Sequence, residues 1–204
     1  MLNVCKKKIL KSGYFDELMY PFKKYIRQRK IAIAVSGGPD SILLTYFLKQ
    51  WANNNKKVLY AYTVDHNLRE ESRKEAIFVK KFCKSLSVEH KILTWDDAKP
   101  KTAIQEKARK KRYMLLKEAC ILDDINILFT AHHSDDLVET FIYRINANSN
   151  LNGLSSILTM RKFEEILIAR PLLRVSKEIL LNTLSNLDIP FVLDSSNKNT
   201  SFTR

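Results

Sequence analysis

Short runs of apolar and β-branched residues alternate with segments of helical spacing along most of this chain. Runs at 31–35, 58–64 and 125–130 are nearly apolar throughout, and 88–93 and 166–169 complete a set of predicted strands. A run that is apolar at successive positions is typical of a strand buried on both faces. Strands that alternate with helices require right-handed crossovers, so the pattern predicts an α/β fold. We expect a doubly wound, mostly parallel five-stranded sheet with helices on both faces.

Composition excludes several other classes. The 204 residues are 45% hydrophobic and 28% charged, as in a soluble globular domain with a substantial core. No apolar stretch approaches the ~20 residues that span a bilayer, and the first residues lack the core of a secretory signal, so we expect no membrane partner and a cytoplasmic location. Cys5, Cys83 and Cys120 are widely spaced and form no CxxC pair, which argues against a disulfide framework or a metal cluster.

The net charge favours an anionic partner. Thirty-five Lys and Arg against 22 Asp and Glu leave a net charge of +13. Such a surface attracts polyanions and speeds encounter with them, which favours nucleic-acid binding. A lysine-rich surface that only contacts water remains the alternative on charge alone.

The sequence Ser-Gly-Gly-Pro-Asp-Ser at 36–41 follows the first predicted strand. Gly37 and Gly38 are two of only four glycines in the chain, and they allow a sharp turn and close approach of a ligand to the backbone. Pro39 suits a first helical turn because its missing N–H would have had no partner. The next helix directs unpaired N–H groups and the positive end of its dipole at this loop, an arrangement that favours phosphate.

Asp40 is the unexpected residue of this loop, because a carboxylate repels phosphate. Either Asp40 holds Mg²⁺ that the phosphates share, or it caps the helix and shapes the loop; a plain strand-to-helix turn is the third reading. The loop has no Lys of the GxxxxGK(S/T) type and no GxGxxG spacing. It resembles the SGGxDS pyrophosphate loop of the N-type ATP pyrophosphatases, which have the adenine nucleotide alpha hydrolase-like fold and cleave ATP between the α and β phosphates.

Three further stretches narrow the resemblance. VDHNLREES at 64–72 and TAHHSDDLVETFIYR at 130–144 each follow a predicted strand, and QEKARKKRY at 105–113 lies on a predicted helix. In this order after SGGPDS they are similar to the tRNA(Ile)-lysidine synthetases, and RPLL at 170–173 continues the match. The resemblance covers roughly residues 30–204. It implies one catalytic domain over 1–204, with residues 1–30 as an N-terminal helical extension and the C-terminal tRNA-binding domains of the family absent.

The resemblance implies an activity, its cofactors and its partners. Family members use ATP and Mg²⁺ to join free L-lysine to C2 of the wobble cytidine of tRNA(Ile) with a CAU anticodon, through an adenylated cytidine, and release AMP and pyrophosphate. The sequence does not decide the oligomeric state, and a homodimer stays open. The implied nucleotide-binding residues are Ser36, Gly37, Gly38, Pro39, Asp40 and Ser41, with Asp40 also on Mg²⁺. The implied catalytic residues are Asp40, Arg112, His132 and Asp136, and the implied substrate contacts are Asp65, His66, Arg109 and Arg204.

Several of these residues have a simpler explanation. Ser134 and the two carboxylates after it open a helix well by themselves. Arg109 and Arg112 share a helix face, which could be a solvated basic surface. His90 stands alone in a strand and is read as structural. Two alternative functions stay open: a tRNA thiolase of the same fold, for which the cysteines are badly placed, and a nucleotide-binding module without catalysis.

Overall fold

One six-stranded sheet forms in the residues that the computed structural model describes, 12–66, 70–96, 102–146 and 157–192. Its strand order is β3-β2-β1-β4-β6-β5, parallel except for β5, which pairs antiparallel with β6. The strands are β1 (Lys30–Ala34), β2 (Val58–Asp65), β3 (Glu89–Thr94), β4 (Ile127–Phe129), β5 (Met160–Phe163) and β6 (Ile166–Ala169). The α/β class and the mostly parallel sheet are confirmed.

Helices cover both faces of the sheet, as predicted. They are α1 (Ser12–Met19), a 3-10 helix (Tyr20–Tyr25), α2 (Pro39–Asn54), α3 (Glu70–Ser85), α4 (Ile104–Leu122), α5 (Ser134–Asn146) and α6 (Lys177–Asn186). Ile31 and Ile33 of β1 pack into a large cluster with α1, α2, α3 and α6, whereas Ala32 between them packs with α4 on the other face. This alternation follows from the two-residue repeat of a strand.

The prediction of five strands was wrong, because β5 was missed. Its sequence, MRKF, is half charged and is partly exposed at the sheet edge, so it lacks the apolar run that marked the other strands. The turn from β5 to β6 is Glu164-Glu165, and Glu164 has a positive φ of 51°. Two-residue hairpin turns usually use Asn or Gly for that backbone, so Glu164-Glu165 is not recognisable as a hairpin turn from the sequence.

The N-terminal helical prediction was also too long. The apolar stripe at 14–30 predicts a helix that is interrupted or bent near Pro21. The change at Pro21 is confirmed, because α1 ends at Met19 and a 3-10 helix follows, but that helix ends at Tyr25 and not at residue 30. Proline removes a helical hydrogen bond, which accounts for the change of helix type there. Residues 1–11 lie outside the described parts. The sequence also predicts a short helix at about 151–158, of which residues 151–156 lie outside the described parts, and Ile157 and Leu158 are not helical.

The strand order places a candidate site beside β1. β1 lies between β2 and β4. The chain passes from β1 through α2 to β2 on one side, and later through α4 to β4 on the other side of β1. In open parallel sheets ligands bind at such a point, outside the carboxyl ends of the strands. In the described parts of the chain no helix is long and apolar enough to cross a membrane.

Candidate active site

A cleft of about 480 Å³ opens at the carboxyl ends of β1, β2 and β4. Gly38 and Asp136, which are almost a hundred positions apart in the sequence, both line it. The side contributed by α2 and β1 includes Ser36, Asp40 and Ser41; α3 contributes Ser72 and Glu75; α4 contributes Arg112 and Tyr113; and the segment after β4 contributes Thr130 and His132. Residues from the three stretches that follow β1, β2 and β4, at 36–41, 64–72 and 130–144, therefore meet at one rim.

The loop at 36–41 is held by its own hydroxyl groups. The backbone N–H of Ser36 donates to Ser41 Oγ at 3.2 Å, and Ser41 Oγ donates to the carbonyl oxygen of Gly38 at 3.0 Å. Ser36 Oγ lies 3.2 Å from Ser41 Oγ and accepts from the N–H of Gly38 at 3.4 Å. The buried Ser41 therefore stabilises the turn, whereas the exposed Ser36 faces the cleft.

The N-terminus of α2 is open toward this loop. Gly38 is the N-cap residue, and no side chain caps the helix there. Pro39 occupies the first helical position, so the first N–H groups of α2 without a helical partner belong to Asp40 and Ser41. A 16-residue helix ending in uncapped N–H groups favours an anion at this point.

Gly37 is the position of the loop that most needs glycine. Its φ is +92°, and an added Cβ would lie 3.3 Å from Val79 Cγ2 and 3.7 Å from Val192 Cγ2. The carbonyl oxygen of Gly37 accepts a 3.0 Å hydrogen bond from the N–H of Val192, which ties a distant segment to the loop. Nothing in the sequence around Val192 predicts this contact.

We expect Gly37→Ala to lower the free energy of unfolding by about 1–3 kcal/mol, because a side chain is strained in this backbone conformation. ATP affinity should fall as well, since the turn positions the N–H groups. Gly13→Ala is the matched control: Gly13 lies in α1 with nothing within 4 Å of the added Cβ, so that change should be neutral or stabilising. Urea denaturation and ATP titration measure both effects, and equal stability of the two variants would contradict the assignment.

His133 lies among three carboxylates and is the main residue that sequence reasoning missed. Its Nε2 is 3.5 Å from Asp40 Oδ2 and 3.7 Å from Asp136 Oδ2, and its Nδ1 is 3.9 Å from Asp135 Oδ1. Burial alone would lower the pKa of His133, but Asp40, Asp136 and Asp135 together outweigh it and raise the pKa above the usual value. The pair of adjacent histidines was a signal, but it did not say which ring met the carboxylates.

His132 has the opposite environment. Its Nδ1 lies 3.0 Å from Thr130 Oγ1, and the residue lines the cleft. Burial, assisted by Arg170, Arg109 and Arg112, lowers the pKa of His132 to about 3. His132 is therefore neutral near pH 7 and can offer a ligand a hydrogen bond but no positive charge.

Arg112 supplies positive charge to the cleft from α4. Its guanidinium lies 5.8 Å from the centre of the Tyr113 ring, and burial lowers its pKa below the usual value. Arginine stays protonated in proteins even so. Arg170 is only 4% exposed, and its Nη1 donates to the carbonyl oxygen of Leu158 at 2.7 Å. Arg170 belongs to the RPLL stretch, to which the sequence assigned no role.

Asp135 has a structural explanation. Its Oδ1 accepts from Ser134 Oγ at 3.0 Å and from the N–H of Lys177 at 3.3 Å, and so it joins the N-terminus of α6 to that of α5. It is not among the residues that line the cleft. Asp136 does line the cleft, and its Oδ2 accepts from the N–H of His133 at 2.9 Å.

Of the predicted substrate contacts, His66 lines the cleft, whereas Asp65 and Arg109 do not. His66 lines the cleft and lies edge-on to Trp95. Asp65 is buried at the end of β2 and does not line the cleft, and Arg109 is exposed on α4 outside it. Arg204 lies outside the described residues. Their roles stay predictions.

The structural interpretation of His90 agrees with its surroundings, and two of the three cysteines are buried. His90 Nε2 lies 2.8 Å from Thr63 Oγ1 on the neighbouring strand, and burial lowers its pKa to about 4. Cys83 and Cys120 are buried, and burial raises the pKa of each thiol to about 12. Neither cysteine lines the cleft. Cys5 lies outside the described residues.

Asp40 is the residue of the cleft that best suits a hard cation. Its Oδ1 is buried without a hydrogen-bond partner, although its Oδ2 lies near His133. Within the described ranges no cluster of three or more His, Cys, Asp or Glu side chains is arranged as a protein-only metal site. Mg²⁺ commonly takes one or two carboxylates and completes its shell with phosphates and water, so a single free oxygen fits that ion.

Comparison with known proteins matches these motifs to a family. A family model described as the PP-loop domain matches residues 11–204. The tRNA(Ile)-lysidine synthase of Rickettsia akari is 41% identical over 175 residues, which are 86% of this chain and 40% of that protein. The enzyme of the same name from a Bradyrhizobium species is 40% identical over 176 residues, 85% of this chain and 49% of that protein. The chain thus spans less than half the length of these curated relatives.

Solved structures share the fold at low sequence identity. The U34-tRNA thiolase of Methanococcus maripaludis has a TM-score of 0.75 at 17% identity, over 94% of this chain and 65% of that one. The NH3-dependent NAD synthetase of Campylobacter jejuni has a TM-score of 0.57 at 15% identity, over 97% of this chain and 79% of that one. Both similarities concern the arrangement of the sheet and helices.

Proposed function

This chain belongs to the PP-loop domain family, and we propose that it is the ATP-using catalytic part of a tRNA(Ile)-lysidine synthase. The proposed reaction joins free L-lysine to C2 of the wobble cytidine of a tRNA(Ile) with a CAU anticodon, in the cytoplasm. The observation that carries the proposal is the meeting of the SGGPDS loop and Asp136 in one cleft. That arrangement would allow a nucleotide's phosphates and an amine to be held side by side. A homodimer and separate tRNA-binding domains stay predictions.

The loop at 36–41 is the proposed phosphate site. The uncapped N–H groups at the start of α2 and the backbone of Gly38 face the cleft, and they would bind the phosphates of ATP. Mg²⁺ would be held by Asp40 Oδ1 together with those phosphates, where it would offset their negative charge.

In the first step, O2 of the cytidine would attack the α-phosphorus of ATP while the bond to the β-phosphate breaks and pyrophosphate leaves. Arg112, which lines the cleft, would offset negative charge on the transferring phosphoryl group. Neutral His132 would donate one further hydrogen bond there. Adenylation turns an oxygen that cannot leave into one that departs as part of AMP.

In the second step, the side-chain amine of lysine would attack C2, and AMP would depart with the former O2. Lysine has a pKa of ~10.4, so fewer than about one amine in a thousand is neutral at pH 7, a deficit of roughly 4–5 kcal/mol. A carboxylate beside the amine would accept its proton. Asp136 is the cleft-lining carboxylate that follows β4, and it is our candidate.

The alternative of a tRNA thiolase finds no support in the described residues. The thiolase of the same fold carries a 4Fe–4S cluster. In this chain Cys83 and Cys120 are buried away from the cleft with raised pKa values, so neither is a reactive thiolate at the site.

ATP–pyrophosphate exchange tests the proposal. We expect exchange only when an isoleucine tRNA with C34 is present, and AMP release only when free lysine is added, with lysidine found in the digested tRNA by mass spectrometry. Low salt and a large excess of the anticodon stem-loop favour binding of RNA by the chain alone. A C34→U34 RNA is the matched control. ATP binding without exchange under these conditions would favour a nucleotide-binding module instead.

A further inference from the structure

Building on the proposed function, we infer that His133 is a positioning residue that orients Asp40 toward the nucleotide and Asp136 toward the amine. His133 is 5% exposed and does not line the cleft, so it does not touch a bound substrate. Its influence on the reaction would pass through the two carboxylates that do line the cleft.

The contacts of the His133 ring join the two halves of the site. A single nitrogen, Nε2, lies 3.5 Å from Asp40 Oδ2 and 3.7 Å from Asp136 Oδ2. Asp40 belongs to α2 and Asp136 to α5, two helices that open on neighbouring loops of the sheet edge. A proton on Nε2 can be shared between the two carboxylates, which would otherwise repel each other.

Each carboxylate places its Oδ2 beside the ring, and both residues line the cleft. Asp40 Oδ2 lies against the ring, while Asp40 Oδ1 has no hydrogen-bond partner. Asp136 Oδ2 accepts from the backbone N–H of His133 at 2.9 Å as well as lying near the ring. This arrangement would present one oxygen of Asp40 to the cation and one of Asp136 to the lysine amine.

A positioning role for His133 and a role that only fills space predict different effects of substitution. Groups that hold a metal ligand or a catalytic carboxylate in place typically contribute about 10–100-fold in metal affinity or activity. Loss of the ring donor should therefore weaken the Mg²⁺-dependent part of ATP binding and raise the KM for lysine in the same variant. A residue that only filled space would change stability without changing the Mg²⁺ requirement.

Calorimetric titration with ATP, in Mg²⁺ and in EDTA, tests the inference without needing turnover. We expect His133→Ala to lower affinity about 10–100-fold in Mg²⁺ and to leave binding in EDTA within about twofold. Added imidazole should restore part of the Mg²⁺ effect. His133→Gln, which keeps a side-chain N–H donor, should be less affected than His133→Ala. If the Ala variant does not fold, His133→Leu fills the space without a donor and serves the same purpose.

His90→Ala is the matched control, because His90 is a largely buried histidine whose ring contacts Thr63 rather than a carboxylate. It should leave the Mg²⁺ dependence of ATP binding unchanged. The inference is overturned if folded His133→Ala or His133→Leu keeps the wild-type Mg²⁺ dependence, or if His133→Gln is as defective as His133→Ala. Absence of lysidine formation by the wild-type chain would contradict the proposed function instead, and the binding measurement would still decide the role of His133.

Discussion

Asp136→Asn is expected to slow lysine transfer by about 10²–10⁴-fold, the usual contribution of a general base. An amide cannot accept the proton of the attacking amine, but its oxygen can still accept the 2.9 Å hydrogen bond from the N–H of His133. Folding and ATP–pyrophosphate exchange should therefore survive. Single-turnover lysine transfer to adenylated tRNA, measured beside the exchange rate, separates the two steps.

The pH dependence of the Asp136→Asn variant gives a second check. Below a pKa of ~10.4, the neutral fraction of free lysine rises about tenfold for each unit of pH. A variant that lacks the base should recover part of its rate as pH rises. Asp135→Asn is the matched control: Asp135 lies outside the cleft and bonds to Lys177, so its loss should affect stability more than transfer. Full transfer activity in Asp136→Asn would remove Asp136 from the mechanism.

Arg112→Met should lower tRNA-dependent ATP–pyrophosphate exchange by about 10²–10³-fold, the usual effect of removing one electrostatic contact to a transition state. Methionine keeps much of the length of the side chain but removes the charge that faces the cleft. Because the charge is largely buried, stability should change little or improve when it is removed. Exchange at saturating ATP and RNA, with thermal denaturation in parallel, measures both effects.

Lys110→Met controls for the general loss of positive charge from α4. Lys110 is exposed on the same helix, two positions away, and does not line the cleft. Its loss should weaken RNA binding slightly and make that binding less sensitive to salt, without lowering exchange at saturating RNA. An Arg112 variant that exchanges at the wild-type rate would exclude a role for this charge in adenylation.

Local sequence was enough for features that depend on a few consecutive residues. The buried strand before Ser36 and the Gly37-Gly38 turn could be predicted directly. A buried strand requires a run of apolar residues and a positive φ favours glycine, and both are visible in consecutive residues. β5 could not, since the turn that follows it needs a positive φ at Glu164, a conformation that glutamate rarely adopts. Its pairing with β6 depends on the edge of a sheet that already exists.

The candidate site also combines features that the local sequence predicts with features that depend on tertiary packing. The sequence by itself determined the fold class, the Gly37-Gly38 turn after β1 and the presence of a carboxylate, Asp136, in the segment that follows β4. Only the tertiary structure decided that His133, not His132, meets the carboxylates, that Val192 bonds to Gly37, and that Asp65 is outside the cleft. The physical reason is that a turn is a property of neighbouring residues, whereas a hydrogen bond or a pKa depends on distances set by the packing of segments far apart in the chain.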